Sequence, residues 1–477
     1  MGIVYDVRRK AQESLGDRVM YKTVRKDVKP NSKRKSTTQL TRVNRQYLSN
    51  LGFQLLYMEF LNVTEKIKVD NSIVSYEYHS HQPFGSTSFG NNDEIRIGIP
   101  EIDNYTLPPE SFLYVEGSVR KLDASGKATK DASATAKLVN NPVAFMFSDI
   151  RYLINGVQID GVRNVGLTSC MKGYFSYTPH DIIKLANAGW NMGEDLLGQV
   201  VPTSPVTGAI MDKNGNFGLS VPLKTLIGFA EDFKTIVMNV RQELVLIRNN
   251  DDDDVLVNTV QEPLQLKIDK VVWRMPHLDV GLREQLALTK IAGRNIDLQI
   301  PFRSWEVHEY PSLPQTTKQS WVVKTAPQLE TPRFIIIGFQ TKKKGKQLAN
   351  MATFDNVKLT NLTVFLNGER YPYDNLNVDF DSNRVAVLYD MYTRFQKSYY
   401  GKEGEPLLTP KQFIENYPLI GIDCTYQAEA LHKSGVEIRI EFTTKNPIPD
   451  GTTAYCLVLH DKAFQYSPLT KIVKQMT

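Results

Sequence analysis

Cysteine and histidine are scarce in this 477-residue chain, which holds three of the first and seven of the second. Cys170, Cys424 and Cys456 are unclustered and odd in number, which excludes a disulfide framework and fits a reduced compartment. No apolar run approaches the ~18 residues of a membrane-spanning helix. Asp6, Arg8, Arg9 and Lys10 interrupt the start before a secretory apolar core can form. Asp6 also stands where a myristoylation signal needs Ser or Thr, so no lipid anchor is expected. The Asn-x-Thr triplets at Asn62, Asn104 and Asn361 read as chance in a reduced setting. Walker-type phosphate loops, Gly-x-Ser-x-Gly and His-Glu-x-x-His are absent. Neither a catalytic residue, a cofactor nor a small-molecule substrate is expected, and nothing positive supports an enzyme.

What is present is ordinary globular material, 41% hydrophobic and 23% charged, with enough apolar residues for a core. The length suggests two or three domains. The net charge of +5 hides an asymmetry. Residues 1–45 carry thirteen Lys/Arg against four Asp/Glu, a net of +9, and the rest carries 44 against 48, a net of −4. A near-neutral body therefore bears a basic arm. The arm opens with a candidate helix, Ile3 to Leu15, and turns polar toward Lys35 with little to bury. Arg25, Lys26, Lys29, Lys33, Arg34 and Lys35 are its candidate nucleic-acid or inner-shell contacts, because clustered cations bind phosphate by releasing counterions. Between Lys22 and Lys35 there is little aromatic interleaving, so stacking on single-stranded bases is not expected. A solubilising or nuclear-targeting tail is the plainer reading of the same residues.

From about residue 70 the texture changes to short period-two runs split by Gly, Pro and Asn. Ile95–Ile99, Leu264–Asp269 and Ile438–Phe442 alternate, and Phe112-Leu-Tyr-Val is a strand-like run. Such runs put one face on a core and the other toward water, and many together indicate sandwiches or barrels. Helical signals are few. Thr409-Pro410-Lys411-Gln412 has the capping-box form and predicts a short helix to Asn416, and Leu282 to Ile291 is a second candidate. Residues 121–138 and 192–220 read as long loops. Asn249-Asn-Asp-Asp-Asp-Asp254 lacks the Gly turn and terminal Glu of a calcium loop and reads as a solvated hairpin tip. His79-Ser-His81 could chelate a metal from one strand face, but no third ligand lies near it in sequence, and a polar loop accounts for it as well.

The second half echoes the first in order. Phe112-Leu-Tyr-Val is followed by Phe334-Ile-Ile-Ile, Phe147-Ser-Asp-Ile-Arg by Phe354-Asp-Asn-Val-Lys, and Tyr152-Leu-Ile-Asn155-Gly156 by Val364-Phe-Leu-Asn367-Gly368. Thr178-Pro179 is followed by Thr409-Pro410, Pro222-Leu223 by Pro418-Leu419, and Glu243-Leu-Val-Leu by Glu437-Ile-Arg-Ile. Asn-Gly supplies the two left-handed residues of a tight hairpin. A spacing of roughly 200 residues is too long for a solenoid and suits two whole β-sandwich domains. The residues alone thus predict an all-β chain divided into a basic arm (1–65), a first sandwich (66–290) and a second (291–477).

Three segments carry a family resemblance. Trp305-Glu-Val-His-Glu-Tyr-Pro-Ser-Leu-Pro, Pro332-Arg-Phe-Ile-Ile-Ile-Gly-Phe-Gln and Tyr371-Pro-Tyr-Asp-Asn-Leu-Asn resemble the major capsid proteins of Polinton/Maverick and adintovirus-like elements. Val221-Pro-Leu-Lys-Thr-Leu-Ile-Gly-Phe-Ala, leading to Gln242-Glu-Leu-Val-Leu-Ile-Arg, is similar to their first domain. The resemblance covers most of residues 90–465 and not the arm. It implies two tandem eight-stranded jelly rolls, a double jelly roll of the adenovirus hexon and giant-virus capsid lineage, with a few short helices in loops. It also implies homotrimers of pseudo-hexagonal outline that tile an icosahedral shell around double-stranded DNA, within a virion assembled in the host nucleus or cytoplasm. Neighbouring trimers, single jelly-roll penton or minor capsid proteins, and packaged DNA reached by the arm would be its partners. The alternatives are a β-sandwich lectin or receptor-binding module, a cupin-type enzyme, and a capsid-derived protein retained by a host.

Overall fold

A computed structural model describes residues 72–476, apart from 86–87, 102–103, 130–135, 192–210, 239, 259, 261, 295, 324–331 and 427–435. The arm and its candidate helix lie outside the described residues. Asn71–Thr477 forms one compact unit.

Among the described residues sixteen strands build the two sandwiches, with five short ones (Tyr105–Thr106, Lys137–Leu138, Val237–Met238, Leu256–Val257 and Val473–Gln475) beside them. The first eight are β1 (Ile73–His81), β2 (Glu94–Ile99), β3 (Phe112–Lys121), β4 (Phe147–Ile154), β5 (Val157–Arg163), β6 (Asn216–Pro222), β7 (Gln242–Arg248) and β8 (Leu264–Val280). The second eight are β9 (Leu298–Tyr310), β10 (Lys318–Val323), β11 (Pro332–Thr341), β12 (Leu359–Leu366), β13 (Glu369–Tyr371), β14 (Ile420–Asp423), β15 (Ile438–Thr444) and β16 (Thr452–Tyr466). They form four antiparallel sheets, ordered β1-β8-β3-β6 and β2-β7-β4-β5, then β9-β16-β11-β14 and β10-β15-β12-β13. Adding eight to each strand of the first pair of sheets generates the second. Two four-stranded sheets in the order 1-8-3-6 and 2-7-4-5 are the jelly roll, two interlocked Greek keys. The chain holds two of them.

Alternation places the core. In β2 the side chains of Ile95, Ile97 and Ile99 are buried while Glu94 and Arg96 are exposed. In the first roll Leu113 and Val115 of β3 face Tyr152 of β4 and Leu244 and Leu246 of β7, all buried. Tyr152 meets Trp273 of β8 edge-on at 6.2 Å between ring centroids. In the second roll Ile335, Ile337 and Phe339 of β11 face Leu362 and Val364 of β12 and Phe442 of β15, with Phe339 and Phe442 centroids 5.1 Å apart.

Among the described residues seven α-helices fill connections: α1 (Pro142–Phe145), α2 (Val165–Ser176), α3 (Pro179–Leu185), α4 (Gly228–Asp232), α5 (Leu282–Gly293), α6 (Ala386–Tyr400) and α7 (Pro410–Glu415). α5 and α7 match the two helices expected from the sequence. α2 presents no face to solvent: all twelve of its residues are buried, the polar Thr168, Lys172 and Ser176 among them. α6 buries Leu388, Tyr392, Phe395 and Tyr399 at helical spacing and ends at Gly401, whose φ of +66° suits glycine.

The echoes of the sequence fall unevenly on this frame. Asn155-Gly156 and Asn367-Gly368 both close the fourth-to-fifth strand hairpin, with all four residues at positive φ. Asn155 donates its N–H to Arg241 at 2.9 Å, as Asn367 does to Glu437 at 3.1 Å. Thr178 and Thr409 both form full capping boxes, at α3 and α7. Glu243 and Glu437 share a strand position only approximately, because Gln242 pairs with Ile154 where Ile438 pairs with Leu366; the true echo lies two residues on. Pro222 ends β6 whereas Pro418 precedes β14, and Phe354 lies outside β12 although Phe147 opens β4.

Two loop expectations need correction. Residues 192–220 are not all loop, since β6 begins at Asn216 and buries Phe217, Leu219 and Val221. Gly218 and Ser220 stand between those apolar residues and keep the period of two, but the run is short and follows a Gly- and Asn-rich turn at Asn214-Gly215-Asn216. The Asn249–Asp254 run is not a hairpin tip, because β7 and β8 belong to different sheets. Asp252 accepts from the buried Arg248 at 2.6 Å, and Asp254 accepts the Gly345 N–H at 2.7 Å. Residues 123–128 are exposed as expected, yet Ala136 is buried and Lys137–Leu138 pairs with Leu256–Val257.

The hairpins give a test of backbone strain free of sterics, because a Cβ added at Gly156 or Gly368 meets nothing within 4 Å. Gly156→Ala and Gly368→Ala should each cost roughly 1–2 kcal/mol, the left-handed penalty of an L residue, read as a lowered guanidinium midpoint at constant slope.

Candidate assembly interface

The two rolls meet along a largely buried polar seam. From the first roll come β5, α2 and α4; from the second come β9 and α6. Lys172 of α2 has a side chain only 2% exposed. Its ammonium donates to Ser176 Oγ at 2.7 Å, Glu231 Oε1 at 2.9 Å and Tyr400 Oη at 3.0 Å. It also lies 4.2 Å from the Tyr399 ring centroid and 5.0 Å from that of Trp305. Burial pulls its pKa below the usual lysine value, and Glu231 pulls it back. Glu231 further accepts from Tyr399 Oη at 3.0 Å and from Tyr400.

Arg303 of β9 completes the seam. Its guanidinium grips Asp232 with two bonds of 2.7 Å, donates to the Tyr399 carbonyl at 2.6 Å and stacks 3.4 Å over the Tyr399 ring. Hydrogen bonding to Asp232 holds it charged against the burial that opposes charge. Asp160 of β5, fully buried, accepts from Phe229 N at 2.9 Å and Ser304 Oγ at 2.6 Å. Gly228 opens α4 against the next strand. A Cβ there would stand 1.9 Å from the Arg303 carbonyl oxygen, so only glycine allows this approach. Beside the polar seam, Phe175 packs edge-on against Tyr392 and Phe395, and Tyr174 Oη donates to the Ala352 carbonyl at 2.7 Å.

The seam is directional. It joins the fifth-strand side of the first roll to the first-strand edge of the second. Edge strands outside the seam include β1 on the first roll and β13 on the second, and α6, whose Tyr392 and Phe395 pack into the seam, turns Val387 outward. β1 pairs only with β8 among the described residues, and Ile73, Val74, Tyr76 and Tyr78 on it are 50%, 71%, 43% and 39% exposed. Beside α6 lies a cavity of about 460 Å³ lined by Pro372, Leu376, Val387, Met391 and Phe395. Val387 and nearby Tyr373 are exposed.

The residues singled out from the sequence fare differently. Arg25, Lys26, Lys29, Lys33, Arg34 and Lys35 lie outside the described residues. Cys170, Cys424 and Cys456 are all buried, and burial pushes their thiols up, Cys170 to about 12, which leaves them inert as nucleophiles. His79 and His81 lie on β1, not in a loop, and a third histidine does lie near them. His277 of β8 stacks on His79 at 4.3 Å and sets its Nε2 3.1 Å from that of His81. Sequence reading missed it because the two strands are some 200 positions apart. Among the described residues no group of three His, Cys, Asp or Glu side chains is placed to hold a metal ion.

A family model described as a double jelly roll-like domain matches residues 136–464, most of the chain. The chain belongs to the double jelly roll-like family. Solved structures agree on this fold. A chain of the Sputnik virophage is 11% identical, with 87% of this chain and 91% of that one covered and a TM-score of 0.56. The mavirus major capsid protein is 10% identical over 87% and 92%, with a TM-score of 0.52. A chain of the PBCV-1 virus capsid is 10% identical over 87% and 99%, also with a TM-score of 0.52. Comparison with curated proteins finds no match.

In this double jelly roll, Glu231→Ala should cost about 3–5 kcal/mol by stranding the Lys172 ammonium. The pair Lys172→Met with Glu231→Leu should recover part of that loss. Urea unfolding of the two variants decides it. Gly228→Ala should cost about 1–3 kcal/mol through overpacking.

Proposed function

We propose that this protein is a structural subunit of a viral capsid, a major capsid protein whose trimers tile an icosahedral shell around double-stranded DNA. The observation that carries the reading is the head-to-tail sense of the seam. A heterologous contact between like units leaves one head and one tail unused, and repetition of the contact closes a ring when the rotation allows. Here the unused head is β1 and the unused tail is β13 with the outward side of α6 at Val387. Both expose apolar side chains, and a long exposed edge strand is a hazard unless something covers it. Three chains joined tail to head give a ring of six rolls, a three-fold object that fills a near-hexagonal site. The virophage, mavirus and PBCV-1 structures support the capsid reading through their shared fold.

In this reading the chain divides into an arm (1–65) and rolls at 66–290 and 291–477. Neighbouring trimers and single jelly-roll penton or minor capsid proteins are its partners, the virion is its location, and assembly takes place inside the host cell. The protein works by geometry and catalyses no reaction. The arm reaches the inner face of the shell and touches packaged DNA through Arg25, Lys26, Lys29, Lys33, Arg34 and Lys35, a contact without sequence selectivity.

Light scattering with negative-stain imaging tests the ring. A stable trimer with a pseudo-hexagonal face is expected, and a chain that stays monomeric at high concentration overturns it. Val74→Glu and Val387→Glu should each shift trimers toward monomers while changing subunit stability by only about 0.5 kcal/mol, as exposed substitutions do. Removal of residues 1–40 should leave trimers intact, weaken DNA binding and flatten its salt dependence. Unchanged DNA affinity would remove the arm from this role.

A further inference from the structure

Five of the seven histidines sit on the first and eighth strands of the two rolls: His79 and His81 on β1, His277 on β8, His308 on β9 and His460 on β16. Both first strands carry Glu-x-His, with His79 Nε2 at 3.8 Å from Glu77 and His308 Nε2 at 3.8 Å from Glu306. The surroundings differ. In the second roll β9 is locked into the seam through Arg303 and Ser304. In the first roll β1 is an edge strand paired only with β8 among the described residues.

We propose that the His79–His81–His277 cluster is an acid-sensitive latch that holds β1 on β8 at neutral pH and releases it on acidification. The geometry requires neutral rings. At 3.1 Å, His81 Nε2 and His277 Nε2 share one proton, one nitrogen donating and the other accepting. Two imidazolium rings both present N–H there and repel. His277 Nδ1 is buried with no hydrogen-bond partner, so protonation of that ring places an N–H where nothing accepts it. His79 lies stacked on His277 with an interplanar angle of 22°, face to face with a second cation once both are charged.

The charged groups on the surrounding elements do not offset this. They are Glu77 on β1, Arg274 and Asp279 on β8, Glu94 and Arg96 on β2, and Glu110 in the turn before β3. Only Asp279 raises the pKa of His277, against burial and His79, which lower it. His81 is held down to about 4 by burial and then by His277 and His79. Both groups are therefore depressed in the folded state. The latch is at full strength above the free-histidine value of 6.5 and is lost progressively as the pH falls from there toward 4. With His81 half-buried and His277 buried, the opening constant of β1 should rise on the order of tenfold between pH 7.5 and pH 5.

Release of β1 is a property of the subunit. Its consequence, loosening of the ring joined through β1, rests on the assembly reading above. Hydrogen exchange by mass spectrometry on the full chain, expressed as protection factors, separates the two. Peptides covering 73–81 should lose about tenfold in protection between pH 7.5 and pH 5 while those of β11 hold. The double variant His81→Gln with His277→Gln should match the native chain at pH 7.5 and keep its protection at pH 5, and His180→Gln on α3 should behave as native. If the double variant is unprotected already at pH 7.5, His81→Gln alone takes its place. Unchanged protection of 73–81 in the native chain at pH 5, or equal loss in the glutamine variant, overturns the latch. The readout holds whether the chain is a trimer or a monomer, so failure of the ring and failure of the latch are told apart.

Discussion

A lysine ammonium shut between two β-sandwiches has to be neutralised where it stands, and the relation of the two rolls follows from how that is done. Lys172 is met by Glu231 from its own roll and by the rings of Trp305, Tyr399 and Tyr400 from the other. Arg303 repeats the device in reverse, a cation of the second roll held by Asp232 of the first. Ion pairs of this kind contribute little net stability against an apolar substitute, but they tolerate few alternative geometries. Together with Gly228, which admits the Arg303 backbone at a distance no other residue allows, they set one angle between rolls that apolar packing alone would leave looser.

That angle gives the assembly reading its force. A seam that joins the tail of one jelly roll to the head of the next is heterologous, so the free ends are matched surfaces in waiting. The latch proposed at β1 lies on one of them. The seam strand β9 and the edge strand β1 hold the same Glu-x-His pattern, yet only β9 is pinned by buried charge. Equal chemistry on strands of unequal support yields one stable contact and one that responds to acid.

Much of the architecture was legible because it is local. The period-two runs at Ile95–Ile99 and Ile438–Phe442 are strands, since alternation records a half-buried sheet face directly. The two Asn-Gly hairpins and the capping box at Thr409 were readable for the same reason: each is decided within four residues. α2 was passed over because it is buried on every side, its few polar residues Thr168, Ser169, Lys172 and Ser176 included, so no solvent-facing stripe marks it. β6 was passed over because its short alternating run, Phe217 to Val221, directly follows a Gly- and Asn-rich turn, and the acidic run at Asn249–Asp254 misled because its partners, Gly345 and Gln347, come from the other roll. The candidate site was far less legible. Lys172, Glu231, Arg303 and Tyr399 are spread over more than 200 positions and share no spacing that marks them.

By itself the sequence determined a duplicated all-β body with a basic arm, because strand period, turn chemistry and net charge are written residue by residue. Tertiary structure alone decided which edges are closed and which stay open, and that His277 joins His79 and His81. Those outcomes depend on strand order and on the angle between rolls, which are properties of long-range packing that no local window contains.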